Sequence, residues 1–354
     1  MFGSNRLVGG NGDDTYILTS ATDVEVELAG GGTDTAILQS GVASCTISAG
    51  IERLILLGTP VYSQFGGGLI GTTGASGTGN LGANTITGSA GNDQLYGMGG
   101  ADSLLGGEGD DLIRGGNGDD VLGGEMGQDT LYGDDGADRM IGSDQGSAML
   151  YGGAGNDLYL VVDDWTYSSF NFIERFGEGI DTVEFVNGSV TLAPNFERLV
   201  VTDSSTRDHG LTGNDTANTL IGGNGADTLE GGLGKDRLTG GTGADVFLFH
   251  NDPTADTVDT VTDYNVEQDM IYLDGVYSHL GTKVGLFQQF RALDGDLFKD
   301  LATGAVDADD RILYDSVRGK LYNDPDGSGA QSAQLIVILD GHPAMGSDII
   351  LVWA

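Results

Sequence analysis

The sequence predicts an all-β solenoid, a stack of short coils closed by tight glycine turns. The first observation is a nine-residue rhythm from Gly88 to Ile141: GSAGNDQLY, GMGGADSLL, GGEGDDLIR, GGNGDDVLG, GEMGQDTLY and GDDGADRMI. The second is what each copy holds, with Gly at the first place, Gly or a small residue at the fourth, Asp at the sixth and an apolar residue at the eighth. The third is that the apolar place stands alone. One apolar residue in nine cannot bury itself within a single copy, so copies must stack to share a core. Glycine permits turns at φ > 0 that a Cβ resists. The residues around the apolar place suit a short strand with one side chain facing inward.

Stacking has an electrostatic consequence. The sixth-place residues Asp93, Asp102, Asp111, Asp120, Asp129 and Asp138 would stand in columns, and like carboxylates in a column repel. A cation between them turns the repulsion into attraction. The setting is all oxygen, which suits Ca²⁺: it accepts roughly six to eight oxygen ligands, backbone carbonyls among them, in flexible geometry. Aspartates acting only as turn formers would not need to recur in phase.

These copies resemble the nonapeptide repeat of the RTX (repeats-in-toxin) family, a calcium-binding parallel β-helix. The resemblance implies a right-handed parallel β-roll (a β-helix or solenoid) in which two successive copies make one coil and each copy stacks on the next but one. It therefore pairs Asp93 with Asp111, Asp102 with Asp120, Asp111 with Asp129, Asp120 with Asp138, and Asp227 with Asp245. It also implies carbonyl ligands from the loops around Gly107, Gly109, Gly116 and Gly118, and several bound Ca²⁺ ions.

Taken in order, the chain begins its repeats early. Gly9 to Ile17 (GGNGDDTYI) is a full copy with Asp14 at the sixth place, and Ala29 to Ile37 (AGGGTDTAI) is a second with Asp34. Between them TSATDVEVEL alternates polar and apolar residues as a half-buried strand does. The layout returns with Gly152 to Leu160 (Asp157) and Phe176 to Glu184 (Asp181), again around a strand-like insertion, so the chain contains an internal duplication. Residues 63–80 are rich in Gly, Ser and Thr, a composition that fits a linker or tight β-helix turns; we read turns. Asn84 replaces Asp in Gly79 to Thr87, which caps the run with a weak ion site or none. At Gly142 the phase slips by one residue, Ala148 stands where Asp is expected, and Asp138 would pair with Asp157 across the slip. A shorter run follows, with Asn218 and then Asp227, Asp236 and Asp245.

After Phe249 the pattern stops. Residues 256–275 and 307–323 resemble the C-terminal region of RTX proteins exported by type I machinery, and the apolar end, Ile349 to Ala354, matches its uncleaved export signal. The expected segments are thus 1–78 (first repeat unit with insertion), 79–151 (main β-roll), 152–212 (second unit with insertion), 213–248 (second β-roll) and 249–354 (C-terminal β module).

Composition narrows function. Among 354 residues, 53 acidic against 15 basic give a formal net charge of −38, which disfavours nucleic acid and anionic membranes as partners. Such charge with 63 glycines would ordinarily read as disorder, were the apolar places not in phase. The single cysteine, Cys45, excludes an intramolecular disulfide and reads as a small buried residue. No apolar run is long enough to insert into a bilayer, and no cleavable N-terminal signal peptide is visible.

Catalytic signatures are missing: the four histidines form no His-Glu-x-x-His pair, and no Gly-x-Ser-x-Gly elbow occurs. Asp324 to Gly329 starts like an EF-hand but lacks its later ligands, so a β-turn is expected. Trp165, Tyr167, Phe170 and Phe172 form an aromatic stripe read as core of the insertion. The expected function is a secreted, calcium-folded structural protein of the bacterial surface or extracellular matrix, self-associating into a layer or filament. The rivals are a glycan-binding adhesin and an enzyme with an unrecognised carboxylate site.

Overall fold

In a computed structural model, the described residues are all but 1–3, 28–31, 40–41, 63–68, 143–147, 162–170, 251–256, 274–289, 294, 328–331, 347–349 and 354. Among them the chain is all β, with one 3₁₀ turn at Gly295–Leu297. Contacts divide it into two compact units, Met1–Thr182 and Val183–Ala354.

The first unit is a parallel solenoid with two strand faces. Gln94–Gly99 pairs in parallel with Leu112–Asn117, which pairs with Thr130–Asp135, which pairs with Met149–Ala154. On the other face Thr85–Thr87, Ser103–Glu108, Val121–Met126, Arg139–Ile141 and Leu158–Val161 follow in the same way. Register sets Leu95 opposite Ile113 and Ile86 opposite Leu104, eighteen positions on, so alternate nonapeptides share a face.

The eighth-place residues stack into two apolar columns. Leu95, Ile113, Leu131 and Leu150 form one; Ile86, Leu104, Leu122, Met140 and Tyr159 form the other, and all are fully buried. Each column is thin, so every member counts. Leu122→Ala should cost about 2–5 kcal/mol, the usual range for a buried Leu with incomplete relaxation. The check is a lower urea midpoint at fixed calcium with an unchanged slope. Outside the core, Arg114 lies 5.2 Å over the Tyr132 ring and bonds Asp134, while Tyr132 stacks on Tyr151.

The second place of a copy takes φ > 0 even where it is not glycine: Met98, Glu125 and Asp134 have φ of 83°, 67° and 77°. Gly116, at the same place, could carry no side chain, because a Cβ there would lie 2.5 Å from the Met98 carbonyl oxygen.

The insertions are β as well. Val24–Val26 pairs in parallel with Arg6–Val8, but its pleat is inverted: Glu25 is buried and Val24 is 47% exposed. The stretch read as turns opens differently. Thr59–Tyr62 and Leu69–Thr73 pair antiparallel, and among the described residues of this stretch only Ser76–Thr78 joins the stack. Cys45 is buried in Ser44–Thr46, where burial pushes its thiol up to about 12. Phe172 packs edge-on against Tyr159 at 5.3 Å, whereas Trp165, Tyr167 and Phe170 lie outside the described residues.

The second unit repeats the scheme. Arg198–Val201, Thr219–Asn224, Arg237–Thr242 and Asp259–Val261 run parallel on one face, and Gly210–Thr212, Thr228–Glu230, Val246–Phe249 and Met270–Leu273 on the other. The stack does not stop with the nonapeptide pattern. Gln334–Leu339 pairs in parallel with Asp259–Val261, and Ile350–Trp353 with Met270–Leu273, both distant in sequence. An antiparallel set, Ile312–Asp315 with Lys320–Asn323 and then Gln334–Leu339, closes the C-terminal part. Asp324 to Gly327 is a turn, with the Asp326 amide donating to Asp324 at 3.3 Å and Gly327 at φ 70°.

Candidate metal centre

The sixth-place aspartates leave the chain just before each strand and turn inward. Every one from Asp93 to Asp138 is at most 3% exposed. Their backbone amides link them into files. Asp93 N–H donates to Asp111 Oδ1 at 2.7 Å, and Asp111 to Asp129 at 2.9 Å. In the companion file Asp102 donates to Asp120, Asp120 to Asp138 and Asp138 to Asp157, at 2.7–2.8 Å. The last step spans the ten-residue slip, and Asp157 then donates to Asp181 at 2.9 Å. Near the start of the unit Asp14 donates to Asp34, which donates to Glu52 Oε2, both at 2.8 Å. In the second unit Asp227 donates to Asp245 at 2.9 Å.

Only one oxygen of each carboxylate is used in this way. Oδ2 of Asp102, Asp111, Asp120, Asp129, Asp138, Asp157, Asp227 and Asp236 is buried and accepts no hydrogen bond. Such an atom costs about 1–3 kcal/mol, more when charged. Each faces a first-place glycine. A Cβ on Gly97 would strike Asp102 Oδ2 and lie 2.5 Å from the Gly115 carbonyl oxygen. Gly106 stands in the same relation to Asp111 and to the Gly124 carbonyl at 2.9 Å, and Gly115 to Asp120 and to the Gly133 carbonyl at 2.9 Å. Carboxylate and carbonyl oxygens thus line a space that only glycine leaves open.

Burial is the main reason these acids resist ionising without a cation. It pushes Asp102, Asp111 and Asp138 up to about 7 and Asp120, Asp129, Asp157 and Asp245 to about 6, while the backbone amides pull the other way. Buried carboxylates, each with an oxygen that accepts no hydrogen bond, beside peptide carbonyls form a hard donor set that fits Ca²⁺. Bound there, the ion would cancel the charge that burial penalises.

A family model, RTX calcium-binding nonapeptide repeat (4 copies), matches residues 1–24, 78–113, 96–131, 114–146 and 212–247. These stretches are RTX calcium-binding nonapeptide repeats. Among curated proteins none matches the chain. RTX nonapeptides bind several Ca²⁺ ions, so Ca²⁺ is the cofactor of this chain, and its all-β parallel solenoid is the RTX β-roll.

In this RTX chain the predicted glycines Gly107, Gly109, Gly116 and Gly118 have φ of 113–126°. The carbonyls of Gly109 and Gly118 face Gly127 and Gly136, eighteen residues on. Beside Oδ2 lie the carbonyls of first-place glycines such as Gly115 and Gly124, which sequence reasoning passed over.

Asn84 and Asn218 show what replaces an ion. Asn84 Nδ2 donates to the Ile51 carbonyl at 3.0 Å, and Asn218 Nδ2 to the Phe196 carbonyl at 2.8 Å. An amide supplies its own positive edge to the carbonyls. Ala148 stands in the Asp93 file without any ligand, the Met149 amide donating to the Asp129 carbonyl at 2.9 Å.

Several residues in the files were missed. Asp259 accepts from Asp236 N–H, and Asp269 from Asp245 N–H, both at 3.0 Å, so the files run on past Phe249. The signal was available in Asp259-Thr260-Val261, which keeps the Asp-x-apolar core of a copy. His209 holds a sixth place, its amide donating to Asp227 at 2.8 Å and its ring Nδ1 lying 3.1 Å from the same oxygen.

Proposed function

We propose that this calcium-binding RTX protein is an exported structural component of the bacterial surface or extracellular matrix. Folding is driven by Ca²⁺ outside the cell, where the folded chain self-associates into a layer or filament. The observation that carries this reading is the set of buried, hydrogen-bond-free Oδ2 atoms from Asp102 to Asp157 and at Asp227 and Asp236. A ligand that binds only the folded state stabilises it by RT ln(1 + [L]/Kd), and extracellular modules hold Ca²⁺ with Kd of roughly 10⁻⁴–10⁻³ M. Cytosolic calcium is far lower, so the charged chain stays unfolded until it has left.

Under this reading Asp14, Asp34, Asp93, Asp102, Asp111, Asp120, Asp129, Asp138, Asp157, Asp181, Asp227, Asp236 and Asp245 are ion ligands, with loop carbonyls around Gly107, Gly109, Gly116 and Gly118. The apolar C-terminal end would be the address for type I machinery. Self-association draws support from the internal duplication, since stacked repeats can extend by adding further coils. Electron microscopy and light scattering of the purified chain in millimolar calcium test it. Layers or filaments that dissolve in chelator are expected, and a strictly monomeric species at high concentration would remove the assembly role.

A further inference from the structure

Two sites in the first unit differ from every plain nonapeptide site beside them. Asp14, Glu27 and Asp34 bring carboxylate oxygens within 4.8 Å of one another, and Asp157, Glu174 and Asp181 do the same. The two sets correspond in order along the duplicated insertion coils, and a tyrosine joins each: Tyr16 in Thr15–Leu18 and Tyr159 in Leu158–Val161.

The difference lies in who faces the first-place glycine. In a plain copy the glycine faces Asp Oδ2 and a carbonyl oxygen of the next coil, as Gly106 faces Asp111 and Gly124. At Gly9 a Cβ would strike Asp14 Oδ2, Glu27 Oε1 and the Tyr16 hydroxyl together. At Gly152 it would strike Asp157 Oδ2 and Glu174 Oε1 and lie 2.6 Å from the Tyr159 hydroxyl. The residue after each insertion strand, Glu27 or Glu174, therefore stands where the next nonapeptide would have delivered a carbonyl.

A cluster of acids alone would not be a site. Here Tyr16 is only 5% exposed, its hydroxyl has no hydrogen-bond partner, and it points at the same space as Asp14 and Glu27. In the second set Asp157 is 1% exposed with Oδ2 unpartnered, and Tyr159 accepts from the Gly152 amide at 2.6 Å while donating to Glu174. Tyr159 thus holds the glutamate in place.

We propose that Glu27 and Glu174 complete two Ca²⁺ sites of a second class, richer in carboxylate than the nonapeptide sites, that fill before the others and set the first coils from which the run between them grows. The proposal rests on the calcium-folding reading above. An added anionic ligand raises affinity for a hard divalent ion, since charge count is the main lever on oxygen-ligated Ca²⁺ sites. Solenoid folding propagates coil by coil from any formed nucleus, so the tightest sites decide where it begins.

The test is calcium titration of the full chain by native mass spectrometry, with circular dichroism on the same samples. In the unmodified chain two ions should load at calcium at least roughly ten-fold below the rest. Glu27→Gln and Glu174→Gln should each remove one of these early ions, and the double variant both. Later ions and the folded spectrum at saturating calcium should be retained. Uniform loading in the unmodified chain, or an unchanged early class in the variants, overturns the proposal. If the unmodified chain bound no calcium at all, the folding reading itself would fall, a result distinguishable from either.

Discussion

Stripping divalent cations at neutral pH is expected to abolish most of the far-ultraviolet β signal, and millimolar calcium to restore it. The Oδ2 atoms of Asp102, Asp111, Asp120, Asp129, Asp138, Asp157, Asp227 and Asp236 are buried without a hydrogen bond, and their carboxylates are nearly inaccessible to water. An isolated buried carboxylate is among the most costly groups a fold can hold. The apolar columns cannot offset many of these, because each nonapeptide adds only one fully buried side chain to them. Each Ca²⁺ at a hundred-fold excess over its Kd adds about 2.7 kcal/mol. Domains are stable by only about 5–15 kcal/mol in total. A handful of ions therefore decides whether the coils exist. Circular dichroism with and without chelator measures this, and a β signal that persists in excess chelator would show that the files stand without metal.

Legibility followed periodicity. The run from Gly88 to Ile141 could be read to the residue, because a strict period makes one copy predict the next: Asp111 has to meet Asp129 once Leu112 pairs with Thr130. The slip at Gly142 did not spoil this, since Asp157 still joins the Asp138 file. Period was silent elsewhere. Glu27 and Glu174 reach their aspartates from just past insertion strands of unequal spacing, and nothing in a nine-residue frame marks a glutamate as the stand-in for a carbonyl. Asp259 and Asp269 escaped notice because the glycines of the pattern had gone, although the Asp-x-apolar core persisted at Asp259. The inverted pleat at Glu25 has a similar cause. An alternating string states that two faces differ, and only the neighbours decide which face is inside; here Ser48 donates to the inward Glu25 at 3.3 Å.

Acidification should have opposite effects with and without calcium. Burial places Asp102, Asp111 and Asp138 at about 7 and Asp120, Asp129, Asp157 and Asp245 at about 6 in the ion-free fold, against an ordinary value of 3.8. A raised folded-state value means that the ion-free fold binds protons the unfolded chain releases. Their stabilisation is fully present below the unfolded value near 4 and is lost as pH rises through 6 to 7. In buffer stripped of metal, lowering the pH from about 8 to about 5 should therefore increase β structure. With calcium the same protons compete with the ion for Oδ2, since a ligand carboxylate must be ionised. The calcium concentration at half-folding should then rise steadily as pH falls through the same window. Calcium titrations followed by circular dichroism at several pH values measure both limbs. If β structure in metal-free buffer fell on acidification, the aspartates would be ionised in the empty fold, and the cation would not be what makes their burial tolerable.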